Sequence, residues 1–330
     1  MINVGDEVKL GEKDGLRIPG VYLGEWDNRE WYWNVPDESV VWRVPEIREC
    51  IAAEKGYRIL AADYSQIEIK LMAFLSKDPE MIRALIARDA SGNPTDIHCY
   101  ISTMVYGEKL GFTYDDMITV IKEKAQDGKK HPRYNEFKRM RSNIKTTTFG
   151  VPYGSGAQGV AARCEISEEE AQQVIDDFFK QFPRLKVWLE EQGNHALRYG
   201  YTETPYHRKR FYDVPSHTDF NAEEYDAKIL QICRQAGNHP IQAASADMLK
   251  DALRKIYAAV RGGKTNDPPM YGARIILVLH DEIVMTCKTE HTEAVKAIMK
   301  ECMDGAYKGI IGDAIPNVVD VAVEDSWEKA

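Results

Sequence analysis

The stretch AADYSQIEIK, residues 61–70, determines the fold that the sequence predicts. The apolar residues 59–62 are typical of a buried strand, and they lead directly into Asp63. A helix is then predicted to begin near Ile67. A strand that ends in a carboxylate can hold that group rigidly, as a metal ligand requires. Because an aspartate after a strand is more often a turn former or a helix cap, this stretch alone does not establish a metal site.

A second stretch, much later in the chain, supplies another candidate carboxylate. The sequence ARIILVLHDEIVMTCK, residues 273–288, contains two apolar runs that are interrupted only by His280, Asp281 and Glu282. This pattern predicts a β-hairpin with the acidic residues at its tip. If the tip lies near Asp63, the two strand-borne aspartates can hold a pair of Mg²⁺ ions and promote an in-line displacement at phosphorus.

The composition is that of a globular protein. The chain has 330 residues, of which 44% are hydrophobic and 29% are charged, so a substantial core is expected in about one to three domains. It lacks an apolar run that could span a membrane, and its N-terminus lacks the apolar centre of a signal peptide. The six cysteines are widely spaced, without a CxxC pair, which favours reduced thiols in a cytoplasmic protein over a zinc site or disulfides.

The charge is unevenly distributed. A net charge of −9 argues mildly against nucleic-acid binding, but a basic cluster occupies residues 122–145 and a smaller one residues 207–210. A charge run is usually a solvated surface, and that interpretation and a phosphate-binding surface are equally open on charge alone. The basic residues of the longer cluster are Lys122, Lys124, Lys129, Lys130, Arg133, Lys138, Arg139, Arg141 and Lys145.

The order of the predicted elements indicates an α+β fold. Residues 1–45 are rich in tryptophan and contain three short strand-like segments, which predict a small β-meander. This meander is either a packing module or a docking surface for a partner or nucleic acid. Strands are predicted in residues 46–75 and 229–330, whereas residues 76–228 between them are mainly helical. One domain therefore contains a large helical insertion.

Several helix boundaries can be predicted from local signals. Ser167 and Glu170 match a capping box at the beginning of one helix, and Pro183 is expected to begin the next. Residues 221–262 are expected to form helices that are interrupted near residues 237–240, where glycine and proline occur.

A basic and aromatic ridge is predicted in RSNIKTTTFGVPYG, residues 141–154. Arg141, Lys145, Phe149 and Tyr153 recur every four residues, which places them on one face of a helix. The two cations can bind the phosphates of a triphosphate, and the aromatic rings can stack on its base and sugar. Ordinary surface ridges have the same spacing, so the ridge alone does not establish a nucleotide site.

Together these motifs resemble those of DNA polymerase family A, the bacterial DNA polymerase I type. The resemblance extends from about Arg48 to the C-terminus, and it implies an antiparallel-sheet palm in residues 46–75 and 229–330 with helical fingers in residues 76–228. The motifs, in the order of the family, are DYSQIE at 63–68, DIH at 96–98, R-x3-K-x3-F-G-x2-Y-G at 141–154, RQAGNHPIQAASAD at 234–247 and HDE at 280–282.

The resemblance implies a two-metal transfer of nucleotides to a primer 3′-OH. It implies that Asp63, Asp281 and the main-chain carbonyl of Tyr64 bind two Mg²⁺ ions, with Mn²⁺ as an alternative, and that Glu282 lies beside them with a less defined catalytic role. Lys145 is the implied proton donor to the leaving pyrophosphate.

The resemblance also assigns contacts to the nucleotide and to the DNA. Arg141 and His98 are implied to hold phosphate oxygens, and Glu68 to exclude a ribose 2′-OH. Phe149 is implied to pack on the sugar and Tyr153 to lie at the position of the base pair. The implied dNTP-binding residues are Arg141, Lys145, His98, Gln66, Glu68, Phe149 and Tyr153. The implied DNA-binding residues are Arg234, Asn238, Gln242 and His280.

Three departures from the family pattern lead to further expectations. Lys70 replaces the usual arginine, which removes a bidentate donor but keeps the charge. Pro152 lies inside the predicted helix and is expected to kink it near Thr148 or Phe149. The thumb helices and the proofreading exonuclease that precede the family's first motif are missing before Asp63. We therefore expect a second polypeptide that supplies the thumb, the exonuclease or both, with a naturally minimal polymerase as the alternative.

Three hypotheses of function remain. The first is a DNA polymerase that uses template–primer DNA and dNTPs, in phage-type or bacterial replication or repair, in a bacterial or phage-infected cytoplasm. The second is a related single-subunit RNA polymerase, which Glu68 disfavours because such an enzyme must admit the 2′-OH. The third is a non-catalytic nucleic-acid-binding or assembly subunit that retains the fold, which the presence of Asp63, Asp281, Lys145 and Arg141 disfavours.

Overall fold

The computed structural model describes residues 7–13, 16–26, 29–34, 41–43, 47–89, 92–122, 131–216, 221–262 and 269–327. Side chains are described at Arg48 and from Cys50 onward within these ranges. None of the helices in these ranges is long and apolar enough to cross a membrane.

An antiparallel sheet forms the N-terminal part of the chain. Its strands pair in chain order, as in a meander, and they are β1 Glu7–Lys13, β2 Leu16–Trp26, β3 Arg29–Asn34 and β4 Val41–Arg43. The sequence predicted three of these strands and missed β4, because three residues are too few to show a periodic pattern. The expected docking surface depends on side chains that lie outside the described ones.

The central sheet has the strand order β10-β5-β9-β8, with every neighbouring pair antiparallel. The hairpin β6–β7 stands apart as a two-stranded sheet. The hairpin predicted at residues 273–288 is formed by β8 and β9, which pair directly. The bounds are β5 Tyr57–Tyr64, β6 Tyr201–Glu203, β7 Lys209–Phe211, β8 Arg274–Leu279, β9 Glu282–Lys288 and β10 Val319–Glu324.

Helices dominate the chain between β5 and β8, so the predicted α+β class with a large helical insertion is confirmed. The α-helices are α1 Ile67–Ser76, α2 Pro79–Ile86, α3 Ile97–Ser102, α4 Glu108–Leu110, α5 Tyr114–Lys122, α6 Tyr134–Gly150, α7 Ala157–Cys164, α8 Glu168–Gln181, α9 Pro183–Tyr199, α10 Ala222–Ala259 and α11 Thr292–Ile311. A π-helical turn covers Thr103–Gly107, and 3-10 turns cover Ile47–Cys50, Met270–Gly272 and Thr289–His291.

The two faces of the central sheet are buried differently. Leu60 points into the main core with residues of α1, α10 and α11, and its complete burial contributes about 1.5–3 kcal/mol. Ala61 points to the opposite face, where it belongs to a smaller apolar cluster with Trp327. Because side chains alternate along a strand, Asp63 projects from this second face. The Asp63 side chain, near the end of β5, therefore lies on the same sheet face as the smaller apolar cluster.

The helix signals were partly correct. The capping box of Ser167 and Glu170 is present at the beginning of α8, and Pro183 is the first residue of α9. The predicted interruption near residues 237–240 is wrong, because α10 runs through Pro240 without a break. The glycine in this stretch has a packing role instead, since a Cβ on Gly237 would lie 2.9 Å from the Leu189 side chain of α9. Tertiary contact has overridden the local helix-breaking signal.

Candidate active site

Acidic residues meet where β5 ends and the hairpin β8–β9 turns. Asp63 is in register with Glu282 across β5 and β9, and Asp281 lies in the two-residue turn between β8 and β9. His280, the other turn residue, has a φ of 53°, the left-handed conformation that tight hairpins favour. The turn thus brings Asp281 within hydrogen-bonding reach of Asp63.

The acidic group carries unfavourable negative charge. Burial and the charges of Asp281 and Glu282 raise the pKa of Asp63 to about 6. A divalent cation would relieve this repulsion, and carboxylate oxygens are ligands that Mg²⁺ and Mn²⁺ prefer, so this donor pair fits either ion. Across the described residues, no group of three or more His, Cys, Asp or Glu side chains is placed to hold a metal. Main-chain, water or phosphate oxygens would have to complete the coordination, as is usual for Mg²⁺.

Two neighbours of the aspartates are already engaged. The Tyr64 hydroxyl is buried and donates to the carbonyl of Met303 at 2.8 Å, so only the main chain of Tyr64 is available to a metal. Glu282 accepts hydrogen bonds on both oxygens, from Trp327 Nε1 at 2.8 Å and from Arg48 Nη1 at 3.3 Å.

Helix α6 carries the predicted cationic and aromatic face. Lys145 is exposed, and the Phe149 ring lies 5.7 Å from the ring of His98. Arg141 is not exposed to the same degree, because its guanidinium binds the Asp96 carboxylate, with Nη2 to Oδ2 at 2.8 Å and Nε to Oδ2 at 3.1 Å. A triphosphate bound by Arg141 would therefore compete with Asp96 for the same donors.

Asp96 connects α6 to the beginning of α3. As the N-cap of α3, its Oδ1 accepts the N–H groups of His98 and Cys99, both at 3.0 Å. Burial acts to raise the pKa of Asp96, but the hydrogen bonds from Arg141 and Cys99 outweigh it and hold the pKa below its usual value. The carboxylate is therefore ionised at neutral pH and fixes Arg141 and His98 side by side.

His98 is neutral in this position. Burial lowers its pKa to about 4, and the nearby cations Arg141 and Lys145 act in the same direction. Its Nδ1 is buried and has no hydrogen-bond partner among the described residues. An unpaired buried nitrogen is costly, so a ligand oxygen in reach of it would be a favourable partner.

The end of α6 is a Schellman motif. The Ser155 N–H donates to the Gly150 carbonyl at 2.9 Å, and the Gly154 N–H donates to the Val151 carbonyl at 2.8 Å. Gly154 has a φ of 81°, the left-handed conformation that this motif requires. The motif aims the chain toward α10, where the side chain of Arg234 crosses directly over Gly154.

The expected kink in α6 is wrong. The α-helix ends at Gly150, before Pro152, and no kink occurs near Thr148 or Phe149. Pro152 lies in the terminal turn, where a missing N–H costs less because the Schellman hydrogen bonds close the helix instead. Tyr153 consequently lies in this turn and not on the helical ridge.

Replacing Gly154 with alanine is expected to destabilise the protein and displace Arg234. The new Cβ would lie 2.3–2.7 Å from three carbons of Arg234, and the left-handed φ would add strain of about 1–3 kcal/mol. Thermal unfolding should show a decrease in Tm of several degrees. Gly156→Ala is the matched control, since its φ is −78° and no atom lies within 4 Å of the added Cβ. Equal losses in the two variants would contradict the close approach.

Three of the predicted site residues, Glu68, Gln242 and His280, line a cavity of about 530 Å³ between α1, α10 and the β8–β9 turn. Tyr153, in the turn that follows α6, adjoins this cavity, since its buried hydroxyl lies beside Glu68 and Gln242. Burial, and then the charge of Glu68, raise the pKa of Tyr153. The cavity is lined by Ile67, Glu68, Gln242, Ser245, Ala246, His280 and Asp281.

Residues of α1 and α10 frame the same region. Gln66 is exposed at the N-terminus of α1, with a left-handed φ of 56°. Arg234 is exposed on α10, and the Oδ1 atom of Asn238 is buried without a partner among the described residues. Lys70 is buried on α1 and donates to Asn317 Oδ1 at 3.4 Å, and burial lowers its pKa to about 8. This lysine is thus part of the packing under the sheet.

Sequence reasoning missed three residues of this site: Asp96, Arg48 and Trp327. Asp96 had a usable signal, because an aspartate directly before a helix is a typical N-cap. Arg48 and Trp327 had no such signal, because their contacts with Glu282 connect distant parts of the chain. Arg48 is 234 residues from Glu282 in the sequence, and Trp327 is 45 residues from it.

A sequence model described as DNA polymerase family A matches residues 34–329. The chain belongs to DNA polymerase family A. The resemblance based on the DYSQIE, R-x3-K and HDE motifs is therefore confirmed.

Family A relatives are much longer than the matched region. The thermostable DNA polymerase I of Thermus aquaticus is 31% identical over 288 residues, which cover 86% of this chain and 28% of the relative. DNA polymerase I of Chloroflexus aurantiacus is 29% identical over 286 residues, which cover 86% of this chain and 25% of the relative. This family A chain thus spans little more than a quarter of the length of these relatives.

A solved polymerase domain has a similar fold. It is described as the POL domain of Pol1 from M. smegmatis in complex with DNA primer-template and dNTP. The two superpose with a TM-score of 0.65 at 25% identity, over 96% of this chain and 49% of that one.

Proposed function

We propose that this chain is the palm and fingers part of a DNA-templated DNA polymerase, which adds dNTPs to a primer 3′-OH. The carrying observation is the pair of adjoining carboxylates, Asp63 and Asp281, beside a cavity whose wall residues Glu68 and Gln242 adjoin Tyr153 in the turn after α6. Relatives named DNA polymerase I and a similar domain solved with primer-template and dNTP support this proposal.

The aspartates give the site its metal chemistry. Asp63 and Asp281, with the carbonyl of Tyr64, would hold divalent cations whose charge favours the primer 3′-oxyanion and the departing pyrophosphate. Glu282 adds negative charge next to them, while its own oxygens stay bonded to Trp327 and Arg48.

Residues on α3 and α6 would bind the triphosphate. Lys145 is exposed and therefore free to meet phosphate oxygens and to give a proton to the leaving pyrophosphate. Arg141 would exchange the Asp96 carboxylate for phosphate oxygens, since the planar guanidinium fork can donate two parallel hydrogen bonds to either anion. His98 would donate from its neutral ring, since its pKa of about 4 leaves one N–H and no net charge at neutral pH.

The cavity walls would select the sugar and hold the nascent duplex. Glu68 fills space beside Asp281, where a ribose 2′-OH would have to fit. Phe149 would pack on the sugar, and Tyr153 would occupy the position of the base pair. The proposed duplex contacts are Gln66, Arg234, Asn238, Gln242 and His280, and the unpaired Oδ1 of Asn238 is suited to accept from a donor in the minor groove.

Primer extension tests the proposed function. With Mg²⁺ and a labelled template–primer, the chain is expected to add matched dNTPs and to discriminate strongly against NTPs. Chelation of the metal should abolish extension. DNA binding without any extension would favour a non-catalytic nucleic-acid-binding or assembly subunit, and equal use of NTPs would favour an RNA polymerase.

The supply of a thumb by a second polypeptide stays a prediction, as does docking on residues 1–45. A net charge of −9 disfavours DNA away from the basic cluster, so binding by this chain alone should be weak and should fall steeply with salt. Single-encounter extension with a DNA trap is expected to add few nucleotides. Long products at moderate salt would show that no added thumb is needed.

A role in phage-type or bacterial replication or repair is part of the same proposal.

A further inference from the structure

The carboxylate of Glu282 is held by residues from two distant parts of the chain. Trp327 Nε1 donates to Oε1 at 2.8 Å, and Arg48 Nη1 donates to Oε2 at 3.3 Å. The guanidinium carbon of Arg48 also lies 4.3 Å from the centre of a Trp327 ring, a cation–π contact. The three side chains therefore form a closed triangle, which we call the Glu282 clamp.

The indole of the clamp has a fixed direction. Trp327 is only 5% exposed, and it packs in the smaller apolar cluster on the sheet face from which Asp63 projects. Its main-chain N–H donates to the Ile51 carbonyl at 2.8 Å, and the Ala53 N–H donates to Asp325 at 2.8 Å. Because backbone and ring are both held, the indole N–H can point to one acceptor only.

The clamp limits what Glu282 can do. The side chain of Glu282 is 13% exposed, and each of its oxygens already has a donor. Glu282 follows Asp281 in the chain and faces Asp63 across the strands. A carboxylate in this place would be a ready third ligand for a cation bound by the two aspartates, unless other groups hold it away.

We propose that Trp327 and Arg48 are positioning residues that keep the Glu282 carboxylate beside the two aspartates but outside the metal ligand set. This inference rests on the proposed function, because it concerns the cations that serve nucleotide transfer. With the clamp intact, the cation keeps oxygen positions for water, primer and phosphate. With the clamp broken, Glu282 takes one of these positions. Metal binding then becomes tighter and turnover becomes slower.

Trp327→Phe is the sharpest test, because it keeps an aromatic ring that can lie beneath Arg48 and removes the N–H donor together with the five-membered part of the indole. We expect Mn²⁺ to bind the variant several-fold more tightly without DNA or nucleotide, as measured by calorimetric titration. In primer extension we expect kcat to fall about tenfold, with little change in the KM for dNTP. The same substitution in a Glu282→Ala background is expected to change neither quantity, because no carboxylate remains to move.

Trp188→Phe is the matched control. Trp188 lies on α9 in the main core, with 6% exposure, so this change lowers stability without touching the clamp. It should leave Mn²⁺ affinity and KM unchanged. If Trp327→Phe does not fold, Arg48→Met is the substitute, since the Arg48 side chain is 30% exposed.

The outcomes are distinct. Weaker or unchanged Mn²⁺ binding in Trp327→Phe overturns the inference, as does an equal effect in the Glu282→Ala background. An unmodified chain that binds Mn²⁺ but extends no primer would count against the proposed function, while the change in Mn²⁺ affinity would still decide the clamp.

Discussion

Asp63→Asn and Asp281→Asn are each expected to reduce primer extension by about 10³-fold or more, with little effect on DNA binding. The reason is that each carboxylate would bind the cations that stabilise the reacting oxygens, whereas neither would grip the duplex. An amide keeps the shape of the side chain but cannot supply the charge. Single-turnover extension and DNA binding should be measured on the same preparations. Residual extension of more than a few per cent in either variant would exclude these residues from the metal site.

The folded state of the Asp63 variant can be verified by its stability. In the metal-free protein the pKa of Asp63 is raised from 3.8 to about 6, so ionisation disfavours the folded form. The resulting penalty is absent below about pH 4 and complete above about pH 6. Asp63→Asn removes it, so its Tm should equal that of the unmodified chain at pH 4. At pH 8 its Tm should be higher by roughly 2–4 °C, which corresponds to about 1 kcal/mol after allowance for solvent screening.

Glu68→Ala is expected to reduce discrimination against ribonucleotides by roughly a hundredfold. Glu68 lines the cavity beside Asp281 and Tyr153, and its truncation opens space at the place of the 2′-OH. The measured quantity is the ratio of kcat/KM for a dNTP to that for the matching NTP. Most of the change should come from better use of the NTP.

Glu68→Gln distinguishes the effect of the side chain's volume on sugar discrimination from the effect of its charge. It keeps the volume of the side chain and removes its charge, so a steric mechanism predicts that discrimination is retained. If Glu68→Gln relaxes selection as much as Glu68→Ala, the charge and its contact with Tyr153 would be responsible. If neither variant alters the ratio, the sugar pocket is elsewhere.

Much of the fold could be predicted from local patterns. The apolar run before Asp63 and the two runs around His280 each carry enough periodic signal to define a strand. The pairing of these strands followed because the polar interruption of only three residues, 280–282, leaves room only for a tight hairpin. The α6 ridge was predicted from its four-residue spacing up to Phe149. Beyond that point Gly154 ends the helix, which spacing alone does not reveal.

The wrong predictions have different physical causes. The expected kink in α6 was prevented by a local turn at its C-terminus, whereas α10 runs through Pro240 in a region where it packs closely on α9. The ion pair of Arg141 with Asp96 could not be inferred from the sequence either, because the two residues lie 45 positions apart. Such pairs are fixed by tertiary packing, which a single sequence expresses only indirectly.

The Glu282 clamp also lies where two distant segments of the chain, residues 48–53 and 325–327, come together. Residues 52 and 326 form a β-bridge, and Trp327 bonds to Ile51. The two ends of the segment between residues 52 and 326 therefore lie next to each other in the structure. This segment could be inserted into a surface loop of a host protein with short joints, or joined end to end and reopened elsewhere as a circular permutant. Either rearrangement would leave Asp63 and Asp281 in place, provided that the joint preserves the pairing of residues 52 and 326.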